Sequence, residues 1–285
     1  MILSTVIWPI VAALWGAFDF VHVDSLQQVH AVNPTQKTFI ERYVKDRSTL
    51  DMFNKDELRT WVSDNADYLN NILKQEGFSI QLEQFSAQTF GVVSILDILV
   101  HWLHEGQKTT IIKNDTTYDA FELKKGINFY NLDDYAHPVI AIQTKNEDTV
   151  WVTVADQKLT EFELFDKVVS LRNMQKKQLF DFGSAVIPMI NYDQSFQLNW
   201  LLNLDIKGWF ISQALQQTKF KMNEKGAHVK SAVAIAVTRS MPMPLERLVI
   251  DKPFYVWIER KGLPYPIFTG YMDEQFWQNP GNLGL

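Results

Sequence analysis

Residues 223–244 read NEKGAHVKSAVAIAVTRSMPMP, and two structural tendencies meet in them. An acidic residue and a glycine, Glu224 and Gly226, precede a run of small and β-branched residues (Ala227, Val229, Ser231, Val233, Ile235, Val237) whose composition suits a strand. Thr238-Arg239-Ser240 and two Met-Pro pairs follow. Pro242 and Pro244 have no N–H to give to a ladder, so the second half is a loop or an edge. Counted from Gly226, Ala227, Val229, Ser231 and Val233 share one face of an extended chain, and His228, Lys230 and Ala232 share the other. The first set is uncharged and can enter a sheet without burying an unpaired ion. The segment is therefore either a core strand leaving into a loop, or one able to exist both as an exposed loop and as an inserted strand.

Both flanks read as strands: residues 218–222 alternate polar and apolar, and strands fill 248–271. Residues 139–143 and 149–155 are β-branched alternating runs around the charged turn Lys145-Asn146-Glu147-Asp148, which predicts a hairpin. A helix is predicted over 54–74, where Asn54 and Glu57 form a capping-box signature and Leu58, Trp61, Val62, Leu69, Ile72 and Leu73 recur at helical spacing before Gly77. A second is predicted over 162–179 on the stripe Leu164, Phe165, Val168, Val169 and Leu171. Residues 90–102 suit a strand buried on both faces, with a buried helix as the alternative. Strands and helices without a regular βαβ rhythm make an α+β fold of mixed sheets and packed helices. With no repeat, low-complexity tract or linker, residues 1–285 are expected to form one domain.

Composition narrows the function classes. Hydrophobic residues make up 46% and charged residues 21%, the balance of a folded globular chain. Lys+Arg 27 against Asp+Glu 33 gives a net charge of -6, with no global basic field for phosphate backbones, so nucleic acid is not an expected partner. The absence of cysteine removes disulfides, thiolate zinc sites, iron–sulfur ligation and cysteine nucleophiles. G-x-S-x-G, Walker A and G-x-G-x-x-G patterns do not occur. Of the 6 histidines only His101 and His104 fall at i, i+3, without a carboxylate at ligand spacing. No metal, cofactor or catalytic centre is expected. Asn114-Asp115-Thr116 is a glycosylation acceptor triplet.

Residues 2–18 are almost wholly apolar, and Asp19 is the first charge. The run is short for the ~20 residues that span a bilayer. It fits a cleaved signal peptide with its apolar centre at 6–15, a buried core helix with Pro9 in its first turn, or a membrane anchor.

Residues 213–271 resemble the carboxy-terminal region of the serpin family of peptidase inhibitors. Residues 213–220 (QALQQTKF) are similar to the strand leading to that family's hinge, and Asn223-Glu224-Lys225-Gly226 to the hinge itself. Asp251-Lys252-Pro253-Phe254 matches the element opening a buried strand, and residues 255–260 and 266–270 match the terminal strand pair. More faintly, 58–73 with Trp61-Val62 resembles the family's helix across the main sheet. Trp102 matches one residue of the next strand, and 186–204 resembles a later strand and helix of the main sheet. The likeness covers 48–271.

The resemblance implies a non-enzymatic, monomeric, secreted glycoprotein carrying sugar at Asn114, with a reactive loop near its carboxy terminus and no stable insertion in a membrane. Its partner would be a trypsin-like serine peptidase. The hinge would comprise Glu224, Gly226, Ala227, Val229 and Ser231. The reactive bond would be Arg239–Ser240, or Ser240–Met241 by the family's usual spacing; arginine is favoured because it can pair with a carboxylate in the peptidase's specificity pocket. Against the family pattern, the amino-terminal helices and first strand are expected to be missing or reduced to 2–18. A scaffold so shortened would store less strain, which keeps open a non-inhibitory homologue acting as a binding or carrier protein.

Overall fold

Phe254–Glu259 and Val139–Gln143 are buried along nearly their whole length, the pattern of strands covered on both faces. In the computed structural model, which describes residues 2–86, 89–98, 100–225, 245–281 and 283, both lie inside a seven-stranded antiparallel sheet. Its order is Ser4–Thr5, Phe268–Met272, Phe254–Glu259, Thr149–Val154, Val139–Gln143, Ile127–Leu132, Lys176–Leu179. The expected hairpin forms in register from Val139 opposite Thr153 to Gln143 opposite Thr149. Its turn is tied through the buried carboxylate of Asp148: Asn146 Nδ2 donates to Asp148 Oδ2 at 2.9 Å, and Arg260 Nε donates to Asp148 Oδ1 at 2.9 Å.

A four-stranded sheet runs Glu246–Val249, Phe182–Pro188, Thr116–Leu123, Gln107–Lys113. Its edge strand Glu246–Val249 is parallel to Phe182–Pro188. The chain divides into two compact units, Met1–Thr5 with Leu99–Tyr192 and Lys219–Leu285, and Val6–Ile98 with Asp193–Thr218. Both sheets belong to the first, as does helix Glu161–Asn173, which buries Leu164, Phe165, Val168 and Leu171. The helix predicted over 162–179 stops at Asn173. Met174 turns extended, and Lys176–Leu179 pairs with Ile127–Leu132 at the sheet edge. The apolar stripe ends at Leu171, and lysines on an edge strand discourage further pairing.

In the second unit Trp8–Phe20 is a helix with Pro9 in its first turn, burying Trp8, Ile10, Val11, Ala12, Leu14, Ala17 and Phe18. The helix predicted over 54–74 is corrected: Leu58–Ser63 is a strand paired with Gly91–Leu96, and only Ala66–Gln75 is helical. The likeness of 58–73 to one helix therefore fails locally. Glu57 does accept from the Asn54 N–H at 2.9 Å, but Thr60, Trp61 and Val62 favour extended backbone and the partner strand supplies the ladder. The true cap is Asn65, whose Oδ1 accepts from Tyr68 N at 3.1 Å. Leu69 and Leu73 pack on Val93 and Ile95. Residues 90–102 are corrected too. Their strand is Gly91–Leu96 and it buries one face, at Val93 and Ile95. After strand Ile190–Gln197, the helix expected before Leu204 is a single 3-10 turn, Asn199–Leu201. No helix of the described residues is long and apolar enough to cross a membrane.

Candidate functional site: the base of the hinge

Strand Leu215–Met222 pairs with Ile190–Gln197 in a two-stranded sheet and then delivers Asn223 and Glu224 into a buried setting, 5% and 7% exposed. Two backbone carbonyls are captured there. Trp102 Nε1 donates to Asn223 O at 2.9 Å, and Gly106 N donates to Glu224 O at 2.7 Å. The Asn223 side chain works in both directions: its Oδ1 accepts from Lys225 N at 3.0 Å, and its Nδ2 donates to Gly281 O at 3.3 Å. Lys108 Nζ lies 3.5 Å from Glu224 Oε1. Glu224 Oε2 is buried and has no hydrogen-bond partner among the described residues.

Gly106 is sterically required. A Cβ there would meet Glu122 O at 2.8 Å and the Leu123 side chain at 3.1 Å, so any larger residue would have to displace the backbone of the neighbouring strand Thr116–Leu123. Trp102 is 3% exposed and stacks on Phe121 with centroids 6.2 Å apart. Burial would raise the Glu122 carboxyl; Ser184 Oγ donating at 2.8 Å and the Arg247 guanidinium at 3.2 Å instead hold it below its ordinary value.

Among the expected site residues, Glu224 is thus anchored by its carbonyl and its carboxylate. Gly226, Ala227, Val229, Ser231, Arg239, Ser240 and Met241 lie outside the described residues, as does the expected reactive loop. Asn114 is exposed in the two-residue turn between Gln107–Lys113 and Thr116–Leu123, with φ 48 at Asn114 and 60 at Asp115, values a type I′ hairpin turn demands. No group of three or more metal-ligating side chains occurs among the described residues. Reading the residues missed Gly106 and Lys108, which are brought to Glu224 from afar in the chain; Trp102 and Asn223 carried a signal through the resemblance.

Trp102→Phe keeps an aromatic side chain, though a smaller one, and removes the donor, leaving Asn223 O a buried acceptor without its partner, a loss of about 1–3 kcal/mol. The melting temperature should fall by about 5 °C, and the amides of 223–225 should exchange faster; unchanged exchange there would show that the indole N–H does not hold the hinge.

By sequence, no family model and no curated protein matches this chain. By structure, it superposes on Serpin48 of the insect Tenebrio molitor with TM-score 0.62 at 13% identity, covering 94% of this chain and 90% of that one. It matches uncleaved ovalbumin with TM-score 0.61 at 12% identity, over 95% and 92% of the two chains. It matches human thyroxine-binding globulin with TM-score 0.58 at 13% identity, over 94% and 91%. The match thus reaches beyond 48–271, where the sequence likeness stopped. At such low identity the likeness speaks for architecture: this chain has a divergent serpin fold.

Proposed function

We propose that the protein is a secreted inhibitor of a trypsin-like serine peptidase, working by cleavage of 226–244 and insertion of its first half as a strand. The observation that carries this reading is the hinge. Strand Leu215–Met222 pairs only with Ile190–Gln197 among the described residues, and Asn223 and Glu224 are clamped where the strand ends. An added strand would find an open edge and a fixed starting point. The alternate residues Ala227, Val229, Ser231 and Val233 could line the buried face without charge. The peptidase serine would attack the Arg239 carbonyl, the Ser240 amine would leave with a proton from the peptidase's histidine, and insertion would distort the resulting ester before water reached it. The protein itself is not an enzyme; it acts as a monomer and needs no cofactor. Asn114, in its exposed turn, would carry sugar.

One observation favours a binding or carrier role instead. Leu58–Ser63 with Gly91–Leu96, and Ile190–Gln197 with Leu215–Met222, form separate two-stranded sheets, and fewer cooperating strands release less energy on insertion. Incubation with trypsin, followed by a denaturing gel and thermal unfolding, separates the two. The inhibitor gives a covalent high-mass band and a cleaved form melting well above the intact chain. Cleavage with neither result leaves the carrier reading.

A further inference from the structure

Within the second unit, helix Trp8–Phe20 and strand Leu58–Ser63 both line a solvent-open cavity of about 510 Å³, a size typical of ligand pockets. Its strand wall is Leu58, Thr60 and Val62, alternate residues that share one face. On the helix wall Gly16 allows the close approach of the two elements: a Cβ there would lie 2.9 Å from Thr60 Cγ2. Two charged side chains line the cavity, and they form one pair. Arg47 Nη1 and Nη2 donate to Asp19 Oδ1 and Oδ2, both at 2.7 Å, and each side chain is about half exposed. The two are not equally held. The Arg47 guanidinium lies over the Trp15 ring, 5.3 Å from its centroid, a cation–π contact. Asp19 stands in the last turn of its helix, where the negative end of the dipole disfavours an acid. The guanidinium is thus the fixed charge of this cavity and the carboxylate the exchangeable one.

We infer that this cavity binds a small amphipathic carboxylate of the fatty-acid class, its head on Arg47 and its tail between the helix and the strand. The exchange at the head costs little. The ligand carboxylate replaces Asp19 on the guanidinium fork, and Asp19, already half exposed, returns to water, where such a pair is worth little. The affinity comes from the tail, because each methylene taken out of water strengthens binding about fourfold. Phe20, which lines the cavity and is 43% exposed, has its ring 4.4 Å from that of Phe90 and so extends the apolar surface outward. The inference goes beyond the inhibitor reading and does not rest on it, since every residue it uses lies between 15 and 90.

The test titrates the intact protein by calorimetry with dodecanoate and with dodecyltrimethylammonium, a cation of the same chain length, both below their micellar concentrations. Wild type should bind one dodecanoate per chain, tenfold or more tightly than the cation. Thr60→Phe fills the cavity from an exposed strand position that suits an aromatic residue, so it should fold and bind dodecanoate tenfold or more weakly. Arg47→Met removes a half-exposed pair and leaves the Asp19 carboxylate facing the head group, so its preference should reverse in favour of the cation. In wild type, dodecanoate should also slow hydrogen exchange at the amides of 58–63, a readout that needs no variant. Any of four results would overturn the inference: no binding below about 1 mM, undiminished binding by a folded Thr60→Phe, equal affinity for the two head groups, or protection confined to amides outside 58–63.

Discussion

A chain carrying Ala227→Arg is expected to be cut by trypsin and to trap at least tenfold less of it. Ala227 is the first residue on the face of 226–244 that insertion would bury, and that face carries no charge through Val233. An arginine there must take its guanidinium into the sheet without a partner or hold the strand out, and the effective penalty for an unpaired buried ion is several kcal/mol. Trapping is a race between insertion and hydrolysis of the acyl-enzyme, and each ~1.4 kcal/mol added to the insertion barrier slows it about tenfold. The covalent band should therefore fall by at least tenfold while cleavage continues, and the cleaved protein should melt near the intact one. Ala227→Ser, small and neutral, should behave as wild type. An undiminished covalent band with Ala227→Arg would mean that this face is not buried and that the insertion mechanism is wrong.

Arg260→Ala should produce the largest loss of stability. Asp148 is 1% exposed, and Arg260 meets it with two hydrogen bonds, Nε to Oδ1 and a terminal guanidinium nitrogen to Oδ2, both at 2.9 Å. Removing the cation strands a buried carboxylate, which costs about 3–5 kcal/mol, or about 10 °C in melting temperature for a chain of this size. The double variant Arg260→Met with Asp148→Leu should recover much of that loss, because it removes the need for charge compensation and not only one partner. Urea unfolding of the three proteins measures both effects. A change within 1 kcal/mol for Arg260→Ala would show that the pair does not secure the hairpin turn.

Some of this architecture was legible locally. The Val139–Gln143 and Thr149–Val154 hairpin follows from alternating β-branched residues around a charged turn, because such residues satisfy the pleat and the turn needs little else. Phe254–Glu259 and Phe268–Met272 pair as the motif around Pro253 implied. Other segments were misread for one reason. Residues 58–63 carry an apolar spacing that fits a helix, and 176–179 extend a helical run, yet each gains more from a neighbouring strand than from continuing a helix. Local periodicity cannot register a ladder partner that lies about thirty to fifty residues away.

The sequence by itself determined the residue pattern of the proposed hinge: an acid and a glycine before an uncharged alternating face, an arginine beyond it, and composition that leaves no cysteine and no basic field. Those are properties of residue type and spacing. Only the tertiary structure decided what holds the hinge, because Trp102, Gly106 and Lys108 reach Asn223 and Glu224 across more than a hundred residues of chain. Such contacts depend on which strands become neighbours, and that is settled by the packing of the whole sheet and not by any segment within it.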